Sequence, residues 1–525
     1  MTTPSAPAVA PEAAAAPMTH REVLEALSGL LLALFVAMIS STVVSNALPR
    51  IVADLEGNQS GYTWVVVATL LTTTASTPIW GKLADLFSKK VLVQAALVIF
   101  AVGSLLAGLS HSMSFLIGAR AVQGIGVGGL TALVQVVIAT MVSPRERGRY
   151  SGYIGATFAV ATVSGPLVGG LIVDTPWLGW DWCFFLGIPV AALAFLVLQK
   201  TLQLPVVRRE VSIDYWGAAL ITGGTSVLLV WVSLAGTEFD WVSWTTAVMV
   251  GAGALTLAAA VAVELKVAEP IIPMQLFRDR TTSLATFASA MIGVAMFGST
   301  VFLSQYFQVA KGMSPTHAGL MSIPMVGALM LSSVATGRRI STTGVWKRWL
   351  VGGMILVVTG MALLSTIDDA TSLWVVGVFM AVLGLGMGAA MQNLVLAVQN
   401  NTAQRDMGAA SSLVAFFRTM GGSIGVSALG AALGHRASDV SAAGMAKLGI
   451  ETSSDGGNIS IPDMASLPAP VRDVVEHAFG DATGHIFLIA APVAFLAFLA
   501  VLLIKEVPLR QTIERADELE GTPAA

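Results

Sequence analysis

The chain has 525 residues, of which 55% are hydrophobic and only 11% are charged. Soluble domains carry about 25% charged residues, so the composition excludes a water-soluble protein and indicates an integral membrane protein. The net charge of −3 provides no basic surface for nucleic acid, and the single cysteine, Cys183, excludes an internal disulfide or a cysteine metal site.

Fourteen apolar stretches follow one another between two polar tails. Residues 1–25 are rich in Ala and Pro and lack a basic start, which predicts a disordered cytoplasmic tail and not a cleaved signal peptide. Each stretch offers the 20 or so apolar residues that a membrane helix needs, and continuous apolar runs favour helices over barrel strands. The predicted spans are 26–48, 62–81, 91–110, 114–140, 150–173, 182–199, 216–235, 242–263, 281–308, 318–337, 349–366, 372–398, 407–433 and 486–504. Residues 506–525 form a polar tail.

The basic residues predict the orientation of the chain. If residues 1–25 are cytoplasmic, 21 of the 28 Lys and Arg fall on the inner side, five lie outside, and Arg120 and Arg418 lie within spans. Such an excess is typical of cytoplasmic loops. It places both termini inside, which requires an even number of spans, and makes 434–485 the only long external loop. We therefore expect a multi-pass protein of the plasma membrane.

An internal repeat predicts the domain organisation. At an offset of 260 residues, three glycines of span 4 fall on three glycines of span 12, and the Arg-acid-x-Gly string 145–148 falls on 405–408. Two six-helix bundles, 26–205 and 266–505, with two inserted helices at 206–265, would produce this pattern. Many secondary transporters build a midplane site from paired halves and open it alternately to each side.

Three strings of residues carry a family resemblance. Gly81-Lys-Leu-Ala-Asp85-Leu-Phe-Ser-Lys89-Lys90 follows span 2, the stretch from Leu116 to Gly128 fills span 4, and Gly165-Pro166-Leu-Val-Gly169-Gly170 lies in span 5. Together they resemble the signature motifs of the major facilitator superfamily, the third being its antiporter motif. Residues 42–49, 269–277 and 308–324 narrow the resemblance to the fourteen-span drug:proton antiporter family.

The resemblance implies an all-α major facilitator fold, with a latch that joins the two bundles at the loop after span 2. The latch residues would be Asp85, Lys89 and Lys90. Here Leu86 and Ser88 replace the Arg and Gly that are usual in the family. The residues implied to serve the conformational change, as hinges or as packing positions, are Gly165, Pro166, Gly169 and Gly170. A proton gradient, with no cofactor, is the implied energy source.

Two arginines are the charges that the predicted spans contain. Arg120 lies about 9 Å from the outer end of span 4, and Arg418 lies near the middle of span 13, at 1.5 Å per residue. An isolated Arg costs about 2.5–3.5 kcal/mol at the centre of a membrane helix, so each is expected to face protein, water or substrate. Polar residues complete the predicted substrate and coupling set: Gln123, Ser40, Asn46, Gln305 and Asn393.

Ser40 departs from the family pattern, which has an acidic residue at this position of span 1. Two interpretations remain open. Protons are carried elsewhere, at a rim carboxylate such as Asp54 or Asp214 or through an occluded water. Alternatively, Arg120 lacks a fixed counter-ion and binds an anionic or strongly hydrogen-bonding group of the substrate. Because spans 9 to 12 contain no carboxylate, dicationic dyes should be poor substrates in either case.

The second half also predicts an adaptable apolar pocket, because methionine surfaces repack around varied ligands. Packing against lipid or neighbouring helices is the alternative role of these methionines, which are Met291, Met296, Met325, Met330, Met387 and Met391. No enzymatic site is expected. The string 421–425 fits G-x-S-x-G but lies inside a helical span and not at a strand–turn–helix junction.

Three functions follow from these observations. The first is a monomeric exporter of small amphipathic drugs, antibiotics or metabolites, including neutral or anionic ones, which works by alternating access with proton antiport. The second is a facilitator or narrow exporter of an endogenous acidic compound, for which Ser40 is the main support. The third is a non-transporting membrane scaffold or sensor, for which the predicted loop 434–485 is the only support.

Overall fold

The computed structural model describes residues 20–55, 59–175, 178–202, 214–236, 239–267, 269–450 and 468–509. Within these ranges the chain is helical, and one isolated bridge, Ala235 with Phe239, is its only β pairing. The helices are α1 (His20–Asp54), α2 (Gln59–Leu86), α3 (Lys89–Gly108), α4 (Met113–Met141), α5 (Pro144–Asp174), α6 (Trp182–Phe185), α7 (Gly187–Thr201), α8 (Tyr215–Leu234), α9 (Trp244–Glu264), α10 (Arg280–Val309), α11 (Pro315–Leu320), α12 (Ile323–Thr343), α13 (Lys347–Leu364), α14 (Leu373–Asn401), α15 (Met407–Lys447) and α16 (Ala469–Leu503).

Thirteen helical segments of the described chain are long and apolar enough to cross a membrane. The segment Trp182–Thr201 joins α6 to α7, and Thr316–Thr343 joins α11 to α12. The remaining predicted span, 62–81, lies in α2, where a run of Thr residues lowers the hydropathy. This helix nevertheless has 28 residues and packs against α4, α8 and α15. The all-helical membrane fold is confirmed, and α2 supplies a fourteenth helix at the predicted place.

The two halves of the chain repeat the same helix packing. In the first half α4 packs against α2 and α3, and in the second half α14 packs against α12 and α13. Gly124 and Gly126 contact α2 and α3, and their repeat partners Gly384 and Gly386 contact α12 and α13. A Cβ at any of these four glycines would overlap the facing backbone or side chain. The glycine pattern of the repeat therefore sets the close approach of these helices.

Two crossed contacts join the halves, because α2 packs against α15 and α5 packs against α12. The repeat relates these two pairs, since α2 corresponds to α12 and α15 corresponds to α5. The inserted helices α8 and α9 pack against each other, and α8 also contacts α2 and α15. The insertion therefore borders one of the two crossed contacts.

The segment 434–485, predicted as a long external loop, is helical at both ends. Helix α15 continues to Lys447 as a single 41-residue helix, and α16 already begins at Ala469. Arg436 of α15 pairs with Asp481 of α16 at 2.7 Å, and the two helices pack together. The prediction ended span 13 at the first polar residues, but paired charges allow the helices to continue beyond their apolar length.

The predicted tails differ from the structure at one end. Helix α1 already begins at His20, within the segment 1–25 that was predicted to be disordered. Residues 1–19 and 510–525 lie outside the described residues, so most of the tail prediction is not tested.

Candidate functional site

A buried polar network lies between α1, α3 and α4. Arg120 Nη1 donates to Gln123 Oε1 at 2.5 Å, one turn along α4. Gln123 Nε2 donates to Ser40 Oγ of α1 at 3.1 Å and to Ser104 Oγ of α3 at 2.8 Å. All four residues are at most 4% exposed. The structure thus brings together three residues of the predicted set, Ser40, Arg120 and Gln123, and adds Ser104.

Arg120 keeps its positive charge without an acidic neighbour. Within the described ranges it forms no ion pair, and its buried Nε has no hydrogen-bond partner. The Gln123 amide supplies a dipole but no charge, while an unpaired buried ion costs several kcal/mol. The Arg120 Nε–H is therefore a buried donor with no acceptor among the described residues.

Arg418 occupies a separate position on α15. Its Nη1 is buried without a hydrogen-bond partner, although the residue as a whole is half-buried. Its backbone carbonyl lies against Gly293 of α10, where a Cβ would overlap it. Glycine at this position therefore allows α10 to pack closely beside the Arg418 turn.

The other predicted polar residues do not join these arginines. Asn393 is buried and its Nδ2 donates to the Ala389 carbonyl of its own helix, so its place in the substrate set stays a prediction. The neighbouring Gln392 faces the other half and pairs with Gln135 Nε2 at 3.3 Å. Gln305 is half-buried on α10. The Asn46 side chain lies outside the described residues.

A cavity of about 30 Å³ lies between the halves, among α5, α10, α12 and α14. Its lining is Gly155, Phe158, Met296, Leu329, Ser333, Met387, Gly388, Met391 and Gln392. Three of the six methionines named from the sequence are among them. The volume fits about one water, whereas drug-sized ligands need some 300 Å³ or more. This apolar, methionine-lined cavity between the halves is therefore too small for a drug-sized ligand.

Asp85 joins the two halves at the end where α2 stops and α15 begins. Its Oδ1 accepts from the Gly408 amide at 2.7 Å and its Oδ2 accepts from the Ala409 amide at 2.9 Å. Amides at a helix N-terminus lack intrahelical partners and favour a carboxylate. Burial nevertheless raises the pKa of Asp85 to about 7, while these two hydrogen bonds and the Lys89 charge lower it. We call Asp85 with these two amides the latch.

The close crossing of α2 and α15 positions the latch. A Cβ on Gly81 would overlap Ser412 Oγ, and a Cβ on Gly408 would overlap the Gly81 carbonyl. Both glycines are therefore required for Asp85 to reach the end of α15.

The two lysines predicted for the latch behave differently from Asp85. Lys89 acts on Asp85 through its charge. Lys90 instead donates to the Gln199 carbonyl near the end of α7 at 2.7 Å, which is a contact within the first half. This contact does not join the two halves, and a latch role for Lys90 stays a prediction.

One known protein family matches most of this chain. The profile of the Major Facilitator Superfamily matches residues 30–426. The chain belongs to the Major Facilitator Superfamily. It is a membrane transporter and not an enzyme.

Relatives within this superfamily align over most of the chain. An uncharacterized MFS-type transporter of Mycobacterium tuberculosis is 34% identical over 541 residues, which cover 100% of this chain and 76% of the relative. The multidrug transporter protein MdtP of Bacillus subtilis is 34% identical over 414 residues, or 79% of this chain and 76% of MdtP. The efflux pump dotC of Dothistroma septosporum is 33% identical over 499 residues, or 93% and 84%. The human organic anion transporter MFSD10 has the same fold, with a TM-score of 0.56, 13% identity and coverage of 90% and 99%.

The string Gly165–Gly170, which resembles an antiporter motif, lies at helix contacts on both sides of α5. A Cβ on Gly165 would overlap Thr42 Oγ1 of α1, and one on Gly170 would lie 2.9 Å from Thr316 Oγ1 of α11. Gly169 is buried, and the Pro166 side chain lies outside the described residues. Gly165 therefore packs within the first half, whereas Gly170 packs across to the second.

Two inter-half contacts at the latch end were missed from the sequence. Lys82 Nζ lies 2.6 Å from Glu269 Oε2, so two motif strings that were treated separately meet in space. On the symmetry-related side, Arg145 donates to the carbonyls of Ser341 and Thr342 at 3.2 and 3.1 Å, at the end of α12. The repeat could have predicted the Arg145 contact. It pairs the start of α5 with the start of α15, and α15 contacts the other half at the latch.

Proposed function

We propose that this chain exports small amphipathic compounds by proton-coupled antiport with alternating access. The observation that carries the proposal is the closed contact of two repeated halves at the latch end, around an apolar cavity lined by methionines. MdtP and dotC, which align with most of this chain, are named as a multidrug transporter and an efflux pump. The substrate would enter the methionine-lined centre when the latch end opens.

The proposed setting is the plasma membrane, with both termini cytoplasmic and the latch on the inner side. The basic-residue count supports this orientation. A monomer would suffice, because each half supplies one wall of the cavity. Labelling of a cysteine introduced at Phe87, beside the latch, from either side of intact cells would test the orientation.

Transport by the purified protein in liposomes tests the function. Compounds of cationic, neutral and anionic character would be offered with and without an imposed pH gradient. We expect gradient-dependent transport of several amphipathic compounds and a substrate-dependent pH change in the lumen. Protein-free liposomes and a protonophore are the controls. Flux that ignores the pH gradient would contradict antiport, and no flux of any compound would contradict export.

A second candidate is transport of acidic compounds, which the unpaired Arg120 favours. Ser40→Asp would place a carboxylate beside Gln123 and near the Arg120 guanidinium. This carboxylate should compete with acidic substrates for Arg120 and so weaken their binding. Ser40→Asn, which has the same size without the charge, is the matched control. Arg120→Ala should abolish transport of acidic substrates. Equal affinities of the Asp and Asn variants for acidic substrates would exclude this candidate.

A further inference from the structure

The inserted helices bring two carboxyl groups together where α8 begins and α9 ends, on the same side of the molecule as the latch. Asp214 caps the start of α8, and its Oδ1 accepts from the Gly217 amide at 2.8 Å. Glu264 ends α9, and its Oε2 accepts from the Ile272 amide at 3.1 Å. Asp214 is 7% exposed and Glu264 is 3% exposed. The predicted end of span 8 at 263 had left Glu264 outside the membrane helices, whereas α9 includes it.

The second oxygen of each group has no donor. Asp214 Oδ2 and Glu264 Oε1 are both buried without a hydrogen-bond partner. Both also lie within 3 Å of one point, the position that a Cβ would occupy on Gly217. The two unpartnered oxygens therefore face the same small space, which glycine keeps open.

The surroundings do not supply the missing positive charge. The charged groups that act on Glu264, among the residues described, are Asp214 and Lys82 of α2, and Lys82 Nζ is already 2.6 Å from Glu269. Lys266, on the turn after α9, is exposed. The apolar residues Leu413 and Phe417 of α15 pack in this region with Ile271 and Ile272, which follow α9.

We propose that Asp214 and Glu264 form a proton-binding pair that shares one proton between their facing oxygens. Ionisation of both neighbouring buried carboxyl groups is disfavoured, because each charge destabilises the other in a poorly solvated site. One proton supplies the donor that both oxygens lack, since a neutral carboxyl donates its O–H to the remaining carboxylate. The exchange is a reversible proton uptake with no other reactant.

The position of the pair links it to the latch. Lys82 lies between Gly81, which is packed against α15, and Asp85, which holds the α15 amides. Loss of the proton would leave two negative charges near Lys82 and draw the Lys82 side chain away from Glu269. The Lys82–Glu269 ion pair joins α2 to the segment before α10. The pair thus supplies a titrating group that Ser40 cannot supply. This second step rests on the proposed proton-coupled function.

Infrared difference spectroscopy of the purified full-length protein tests the pair without any substrate. The measurement uses an Asp85→Asn background, so that the latch carboxyl does not contribute, and follows the carbonyl band of protonated carboxyl groups as the pH is raised. We expect a band that is present at neutral pH, disappears at alkaline pH and is lost in both Glu264→Gln and Asp214→Asn. Each amide keeps the hydrogen bond from Ile272 or Gly217.

Asp279→Asn is the matched control, because Asp279 also caps a helix, with its Oδ2 accepting from the Thr282 amide at 2.8 Å. It should retain the band. A band unchanged by both pair variants, or no band in the parent, would overturn the proton-binding pair. Thermal unfolding in the same Asp85→Asn background gives a second readout: stability should fall as the pH rises, and this fall should be smaller in Glu264→Gln.

Transport separates the pair from the proposed function. In liposomes, Glu264→Gln should lose acceleration by a pH gradient while it retains substrate exchange. Retained acceleration, together with a lost infrared band, would overturn the coupling role but not the proton site. If the parent protein shows no gradient dependence, the proposed antiport fails, and the infrared result still decides the pair.

Discussion

The latch should close more firmly as the pH falls, and Asp85 should be the cause. Burial in the latched conformation raises the pKa of Asp85 from 3.8 to about 7. Above pH 7 the Asp85 carboxylate is ionised in both conformations, and burial of this charge destabilises the latched conformation. Below pH 7 the latched form takes up a proton that the open form releases down to pH 4. Protonation therefore favours the latched conformation throughout this window.

The magnitude follows from the width of this window. Each pH unit below 7 is worth about 1.4 kcal/mol. Between pH 8 and pH 5 the equilibrium should move by about 2.7 kcal/mol, or roughly 100-fold, toward the latched form. Asp85→Asn is neutral at every pH, so it should remove this dependence, and its single acceptor oxygen retains one of the two amide hydrogen bonds.

Distances between spin labels at the latch end measure the equilibrium. Labels at Phe87→Cys and Val345→Cys would report on the first and second halves, since both residues are exposed and follow α2 and α12. Cys183, the one native cysteine, is buried and would be replaced by Ala. A closed fraction that does not change from pH 8 to pH 5 would refute the reasoning, as would an equal change in Asp85→Asn.

Three further outcomes follow from the helix contacts. Gly81→Ala should open the latch end, because the added Cβ would overlap Ser412. The expected loss of latched-state stability is roughly 1–3 kcal/mol. Gly352→Ala is the control and should leave the label distances unchanged, because a Cβ there meets open space. Arg145→Ala should weaken the contact between α5 and α12 by roughly 1–3 kcal/mol, because two hydrogen bonds from a charged group are lost. The distribution of distances between the spin labels should become wider. A distribution identical to that of the parent would contradict this prediction. Dicationic dyes should be poor substrates compared with their monocationic analogues in whole-cell efflux, and robust efflux of the dications would contradict an uncompensated pocket.

The amino-acid sequence determined the architecture because its signals are local. Apolar length predicted the helices, and the spacing of Gly124 and Gly126, repeated at Gly384 and Gly386, predicted two equivalent halves. Both signals act within one helix or between helices whose packing depends on small residues. The same locality explains the failure at 434–485, where the helices extend past their apolar length with Arg436 and Asp481 paired across them.

Only the tertiary structure decided which polar groups meet. A membrane helix that is apolar all round gives no periodic signal for its rotation, so the sequence did not show that Gln123 bridges Arg120 to Ser40 or that Asn393 turns back onto its own helix. Asp214 and Glu264 lie at opposite ends of an inserted helix pair and read separately as rim residues. Antiparallel packing of α8 and α9 places them together, because the start of one helix then lies beside the end of the other.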